Sequence, residues 1–220
     1  NGLDDGSLVE RGGVWAATAG VGPGPRLAEL IDTRIGTVSA AEQAVLEILA
    51  VGEPLGADLL AAITSPPLPA ELERRGLVRV EPSGRRRNVC LAHPLYAERV
   101  AAGLGVLRRD ENSRLLADAV EETGARRADD MFRIAAWRLD GGGPIAPAAV
   151  VAAARRALAL HDQDLAERLA RAAAEAGGGS AAVVELGNAL YWQGRYEEVL
   201  ALLASTAAAP RDDRDRSQAT

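Results

Sequence analysis

Lysine is missing from this chain; all 25 basic residues are arginine. A phosphate-binding loop of the G-x-x-x-x-G-K-[ST] type needs its lysine to reach the phosphates, so that clamp is excluded here. The arginine usage itself reads as the codon bias of a GC-rich genome. Cysteine is down to one residue, Cys90, which excludes an internal disulfide and the usual multi-cysteine zinc sites. Its apolar neighbours make it a buried strand cysteine. Aromatics are only 3% of the residues although 48% are hydrophobic, mostly alanine, leucine and valine. That balance suits closely packed helices that touch through small side chains. No apolar run approaches the roughly 18 residues of a membrane span, and no secretory signal is present. The expected compartment is the cytoplasm, with no membrane partner. Positive charge is in deficit: a net charge of −6 is not that of a surface built as a whole for a phosphate backbone. At 220 residues there is room for one or two domains with cores of their own. The first residue is Asn1 rather than Met, so the chain is expected to be a piece of something longer.

What is present is organised around PAELERRGLVRVEPSGRRRNVCLAHPLYAERV, residues 69–100. Pro69 suits the first position of a short helix, where its missing N–H would be unpaired in any case. Leu72 falls on the inner face, Arg74 and Arg75 face solvent, and Gly76 supplies a left-handed stop. Leu77, Val78 and Val80 give a β-rich run, Pro82-Ser83-Gly84 is turn chemistry, and Val89 and Leu91 alternate with polar neighbours. Pro94 then opens a helix carrying Leu95, Tyr96 and Val100. A helix, a hairpin and a helix in this order predict the closing half of a winged-helix domain.

Upstream, Leu8-Val9-Glu10 and Val14-Trp15-Ala16 could pair as a small hairpin, and residues 20–25 read as a linker. Leu27, Leu30, Ile31 and Ile35 share a helical face within residues 26–38. Ser39-Ala40-Ala41-Glu42 is a capping box ahead of the stripe Val45, Leu46, Ile48 and Leu49, and Gly52 ends that helix. A further helix is expected over 57–63. Downstream the pattern is helical throughout, with elements over 105–122, 127–139, 147–160, 163–176, 180–193 and 196–205. The last four form a weak repeat about 33 residues apart, close to the tetratricopeptide period. It aligns Ala154 with Gly187, Ala157 with Leu190, Ala166 with Val199 and Ala170 with Leu203, small residues that let paired helices approach. The fold class is thus mainly α, a winged-helix domain with a β-hairpin wing followed by a tetratricopeptide-like array. The expected domains are 1–25 (remnant of a preceding domain and linker), 26–103 (winged helix), 104–205 (helical repeats) and 206–220 (disordered tail).

Two groups of side chains are candidates for chemistry. His93 stands where strand hands over to helix; it either caps its own helix or donates to a phosphate oxygen beside the helix N-terminus. Arg85, Arg86 and Arg87 sit at the wing tip, near Arg74, Arg75 and Arg79, where they can contact DNA or phosphate or form a solvated charge patch. Glu71 and Glu73, on a helix of about two turns, oppose its entry into a major groove. His161 reads as a solvated turn residue, and Asp129 and Asp130 as helix-start charges. No catalytic residues and no metal ligands stand out, and no residue constellation supports an enzyme site in a helical groove.

The segments LAELIDTRIGTVSAAEQAVLEILAVGEPL, LERRGLVRV, LAHPLYAERV and ALALHDQDLAERLARAAAEAGG resemble the middle of LuxR-type large ATP-binding transcriptional regulators of actinobacteria, members of the STAND class of signalling ATPases. The resemblance covers about residues 3–205, and GSLVERGGVW is similar to the segment that leaves the ATPase core. It implies an AAA-like ATPase, this winged helix and these repeats in series with a DNA-binding helix-turn-helix. It also implies that His93, in Leu91-Ala92-His93-Pro94-Leu95, senses nucleotide at the β-phosphate of ADP. ATP and ADP would be cofactors of the parent protein and not of this chain, which lacks the ATPase motifs. Implied partners are the parent's own ATPase and DNA-binding domains, a protein or small-molecule inducer at the repeats, and another copy of the chain. The alternative is a stand-alone winged-helix DNA-binding regulator with a helical effector domain.

Overall fold

The computed structural model describes residues 8–11, 14–17, 25–127 and 129–208. Residues 20–24 of the linker expected over 20–25 and most of the expected tail lie outside these residues, while Pro25 already begins a helix. The described chain is mainly helical with a small three-stranded antiparallel sheet, and it divides into two compact units, Asn1–Ala119 and Val120–Thr220.

In the first unit the strands β1 (Leu8–Arg11) and β2 (Val14–Ala17) pair antiparallel, as the sequence suggested. Helix α1 (Pro25–Ile35) stops three residues short of the expected 38, because Gly36 turns the backbone to φ 63° and donates back to Asp32. Helix α2 (Ala40–Gly52) starts on the expected capping box: Ser39 Oγ accepts from Glu42 N–H, and the Glu42 carboxylate accepts from Ser39 N–H at 2.7 Å. After α2 come the two-residue strand β3 (Leu55–Gly56), α3 (Ala57–Ile63) and α4 (Pro67–Arg74). Helix α4 begins at Pro67 rather than Pro69; any first-turn position tolerates proline, since none of those N–H groups has an intrahelical partner.

Strands β4 (Val78–Ser83) and β5 (Arg86–Leu91) form a hairpin whose turn is Gly84-Arg85, with Ser83 opposite Arg86. Gly84 sits at φ 61°, the first central position of a II′-like turn, which glycine fills without strain. Leu55 and Gly56 pair with Val89 and Asn88, so the sheet order is β3-β5-β4. That third strand, too short to show periodicity, was not foreseen. Helix α5 (Pro94–Gly103) packs on α1 and α2, and α6 (Val106–Glu122) follows. The core gathers Val45, Leu46 and Leu49 of α2 with Leu55, Leu60, Leu72, Leu77, Val89 and Leu91, all essentially inaccessible to solvent. Each large aliphatic side chain buried this way stabilises by about 1.5–3 kcal/mol. Arg75 corrects its expected solvent exposure. Its guanidinium donates to Glu42 and to the carbonyls of Ile35 and Thr37, tying the end of α4 to the α1–α2 loop.

In the second unit α7 (Asp130–Gly141) is followed by α8 (Pro147–Ala159), α9 (Gln163–Glu175), α10 (Gly179–Trp192) and α11 (Tyr196–Ala208). Three-residue links join α8 to α9, α9 to α10 and α10 to α11, and each of these pairs is packed together. Helices so joined and packed must run antiparallel. The first link turns at His161, exposed and at φ 62°, and Asp162 Oδ1 caps α9 by accepting from Leu165 N–H. Ala153, Ala154 and Ala157 share a core with Ala166, Leu169, Ala170 and Ala173, so helix axes come close across alanine methyls. Helix α11 extends to Ala208, past the expected 205.

Candidate functional site

His93 is the N-cap of α5 (φ −144°, ψ 140°), with Pro94 at the first helical position. Its Nδ1 accepts from Leu95 N–H at 3.1 Å. An accepting Nδ1 carries no proton, so in the neutral ring the proton sits on Nε2. Among the described residues no hydrogen bond engages Nε2. The cap therefore fixes both the ring's orientation and its tautomer, and presents Nε2–H as a free donor. Tyr96 flanks the ring, with centroids 5.9 Å apart and the planes tilted by 51°.

The imidazole opens on a pocket of about 210 Å³ lined by Leu30, Ile31 and Arg34 of α1 and by His93, Leu95 and Tyr96 of α5. Arg34 is exposed and forms no ion pair or hydrogen bond among the described residues. His93 and Arg34 thus both line a mostly apolar pocket beside the N-terminus of α5. Sequence reasoning missed Arg34: it lies far upstream of His93, and only the packing of α1 on α5 brings the two together.

The arginines in and beside the β4–β5 hairpin separate into two sets. Arg74 is paired with Glu71, Arg75 is held as described above, and Arg79 donates to Leu91 O at 3.3 Å and pairs with Glu81 at 2.7 Å. Of the three arginines expected at the tip, Arg85 is in the turn while Arg86 and Arg87 lie in β5; all three are exposed, with side chains unpaired among the described residues. Glu53 meets the hairpin at Leu91, near Cys90 of β5 and Glu81 of β4. Burial raises the Glu53 carboxyl above the ordinary glutamate range, against the Leu91 N–H bond and the nearby Arg79 that lower it. Cys90 is buried as expected, and that burial, together with Glu81 and Glu53, pushes its thiol up, making the reactive thiolate scarcer.

The helical unit offers a groove of about 520 Å³ between α7 and α8, lined by Met131, Phe132, Ala149, Ala152 and Ala153 and edged by the Arg156–Asp129 ion pair. Asp129 and Asp130 differ: Asp129 stays at the groove edge, whereas Asp130 is buried and accepts from Arg127 N–H. Glu185 of α10 is also buried and accepts twice from Arg155 of α8. Across the two hairpins, Glu167 accepts from Arg171, Gln193 and Arg195. Burial works to raise its carboxyl, but these bonds prevail and hold it below the ordinary range. Among the described residues no group of three metal-ligating side chains occurs, and no helix is long and apolar enough to cross a membrane.

Comparison with family models, with curated proteins and with solved structures finds no match.

Proposed function

We infer that the chain is the relay segment of a multi-part, ATP-dependent transcriptional regulator of the LuxR type. The α2–β3–α3–α4–β4–β5 order, with β3 added to the outer side of the hairpin, supports a winged-helix domain. The two short-linked pairs α8–α9 and α10–α11 support a tetratricopeptide-like array. In this reading the winged helix senses nucleotide state through His93, and the groove between α7 and α8 takes an inducer or a partner. Catalysis belongs to an ATPase core and promoter recognition to a helix-turn-helix, neither of which has its motifs here.

The observation that carries the sensor role is the division of labour within His93. Nδ1 is spent on capping α5, so Nε2–H and Arg34 are left to meet a phosphate. Such a contact shifts a switch only as far as the nucleotide binds its two states differently. The test is the ADP affinity of a polypeptide carrying this chain together with its ATPase core. His93→Asn keeps an N-cap, since asparagine is among the best capping residues, but withdraws the Nε2 donor. The expected result is ADP binding weakened about tenfold, the equivalent of one lost charge-assisted bond, with α5 still helical. Unchanged affinity and basal activity would remove the sensor role.

A second reading rests on the unpaired Arg85, Arg86 and Arg87, which would let the wing contact a DNA backbone in a stand-alone regulator. Helix α4 weighs against it: it spans eight residues, and its Glu71 and Glu73 would face the phosphates.

A further inference from the structure

The groove between α7 and α8 gathers chemistry that the fold itself does not use. Its volume is about 520 Å³, with Met131 and Phe132 on one side and Ala149, Ala152 and Ala153 on the other. Met131 and Phe132 are the chain's single methionine and single phenylalanine. Met131 is 51% exposed, so its adaptable thioether is left for contacts outside the core. The three alanines share one face of α8 and offer no more than a methyl each, which leaves the space unfilled. At the edge, Arg156 continues that face. Its Nε donates to Asp129 Oδ1 at 3.0 Å, and its Nη2 meets the same oxygen at 3.0 Å. The guanidinium thus straddles one carboxylate oxygen instead of taking both, as a bidentate pair would. Among the described residues no hydrogen bond engages Asp129 Oδ2 or Arg156 Nη1.

We propose that this groove binds a small molecule with an apolar body and an uncharged polar head that both donates and accepts, an amide being the simplest such head. The proposal rests on the reading of the groove as an inducer site and names the inducer's class. Size favours a small molecule: such pockets span about 300–1,000 Å³ and are mostly apolar with a few placed polar groups. A docked helix needs anchors over about two turns, whereas the apolar wall from α7 is two consecutive residues. Charge selects the head. Asp129 and Arg156 are the charged side chains that line the groove, and their charges cancel. A carboxylate on Arg156 would lie against Asp129, and an ammonium on Asp129 would lie against Arg156. An amide meets both at once: its N–H donates to Oδ2 while its carbonyl accepts from Nη1, and no ligand charge has to be desolvated.

Ligand-detected NMR titration of the whole chain with octanamide, octanoate and octylammonium, which share one tail, tests this. Octanamide should bind about tenfold more tightly than either charged probe. Asp129→Asn keeps a capping residue ahead of α7 and should turn the preference towards octanoate. Arg156→Gln should turn it towards octylammonium. Ala152→Leu, at an exposed position of α8, should fill the groove and weaken octanamide about tenfold or more. Helical circular dichroism should be unchanged in all three variants. Octanamide binding no tighter than a charged probe overturns the proposal. So does a preference that neither charge variant moves, binding that Ala152→Leu leaves intact, or no octanamide binding up to about 5 mM. Each of these is read on this chain alone, so failure here stays distinct from an unchanged ADP affinity, which would remove the sensor reading.

Discussion

Glu53 shows how one side chain can be held against its own preference. It follows α2 with its carboxylate on the Leu91 amide of β5, and burial raises its carboxyl while Glu81 adds repulsion. The sign follows from linkage. A carboxyl raised in the folded state favours folding only while protonated, and that advantage is lost as pH rises from the ordinary glutamate range through the folded value. Glu53→Gln keeps an acceptor for Leu91 N–H without a buried charge. It should therefore unfold at higher urea than the parent at pH 7, with the gap closing below about pH 4. A parent more stable than the variant at pH 7 would show that Arg79 outweighs the burial.

At the scale of elements, glycines in and beside α10 separate packing from propensity. A Cβ on Gly178 would meet Ala173 O at 2.8 Å and Ala182 Cβ at 3.0 Å, so the link between α9 and α10 has no room for one. On Gly187 it would meet only Leu202 Cδ2, at 3.9 Å, an ordinary contact. Gly178→Ala should destabilise by about 1–3 kcal/mol through overpacking, while Gly187→Ala should stabilise by about 0.5–1 kcal/mol through helix propensity. Opposite shifts of the urea midpoint would verify both. The expected closeness of helices at Gly187 is thus not needed there; it is needed at Gly178 and along the alanines of α8 and α9. Elements whose signals are local were legible, such as the capping box at Ser39 and the helix pairs near a 33-residue period; of the expected turn Pro82-Ser83-Gly84 only Gly84 turns, because Pro82 and Ser83 pair within β4 and the turn falls at Gly84-Arg85. The two-residue β3 was not, since a strand of that length exists only through its pairing with β5.

For the whole molecule, charge sets the balance between the two functional readings. The chain carries −6 overall, while among the described residues Arg85, Arg86 and Arg87 are unpaired cations of the β4–β5 hairpin. A relay segment predicts no retardation of duplex DNA even at about 50 mM salt, where phosphate contacts are strongest. A shift that fades steeply with added salt and is lost on replacing Arg85, Arg86 and Arg87 by alanine would favour the DNA-binding alternative instead.

Sequence by itself determined what depends on near neighbours: where most helices start and stop, the turn at Gly84, the cap position of His93 and the small-residue seams of the hairpins. These follow from backbone preferences and periodicity, which act over a few residues. Tertiary structure alone decided which distant groups share a space. It put Arg34 beside His93, turned Arg75 from solvent onto the α1–α2 loop, and left the groove between α7 and α8 open. A helical face is apolar in sequence whether or not anything packs on it, and only the arrangement of the other helices settles which faces stay open.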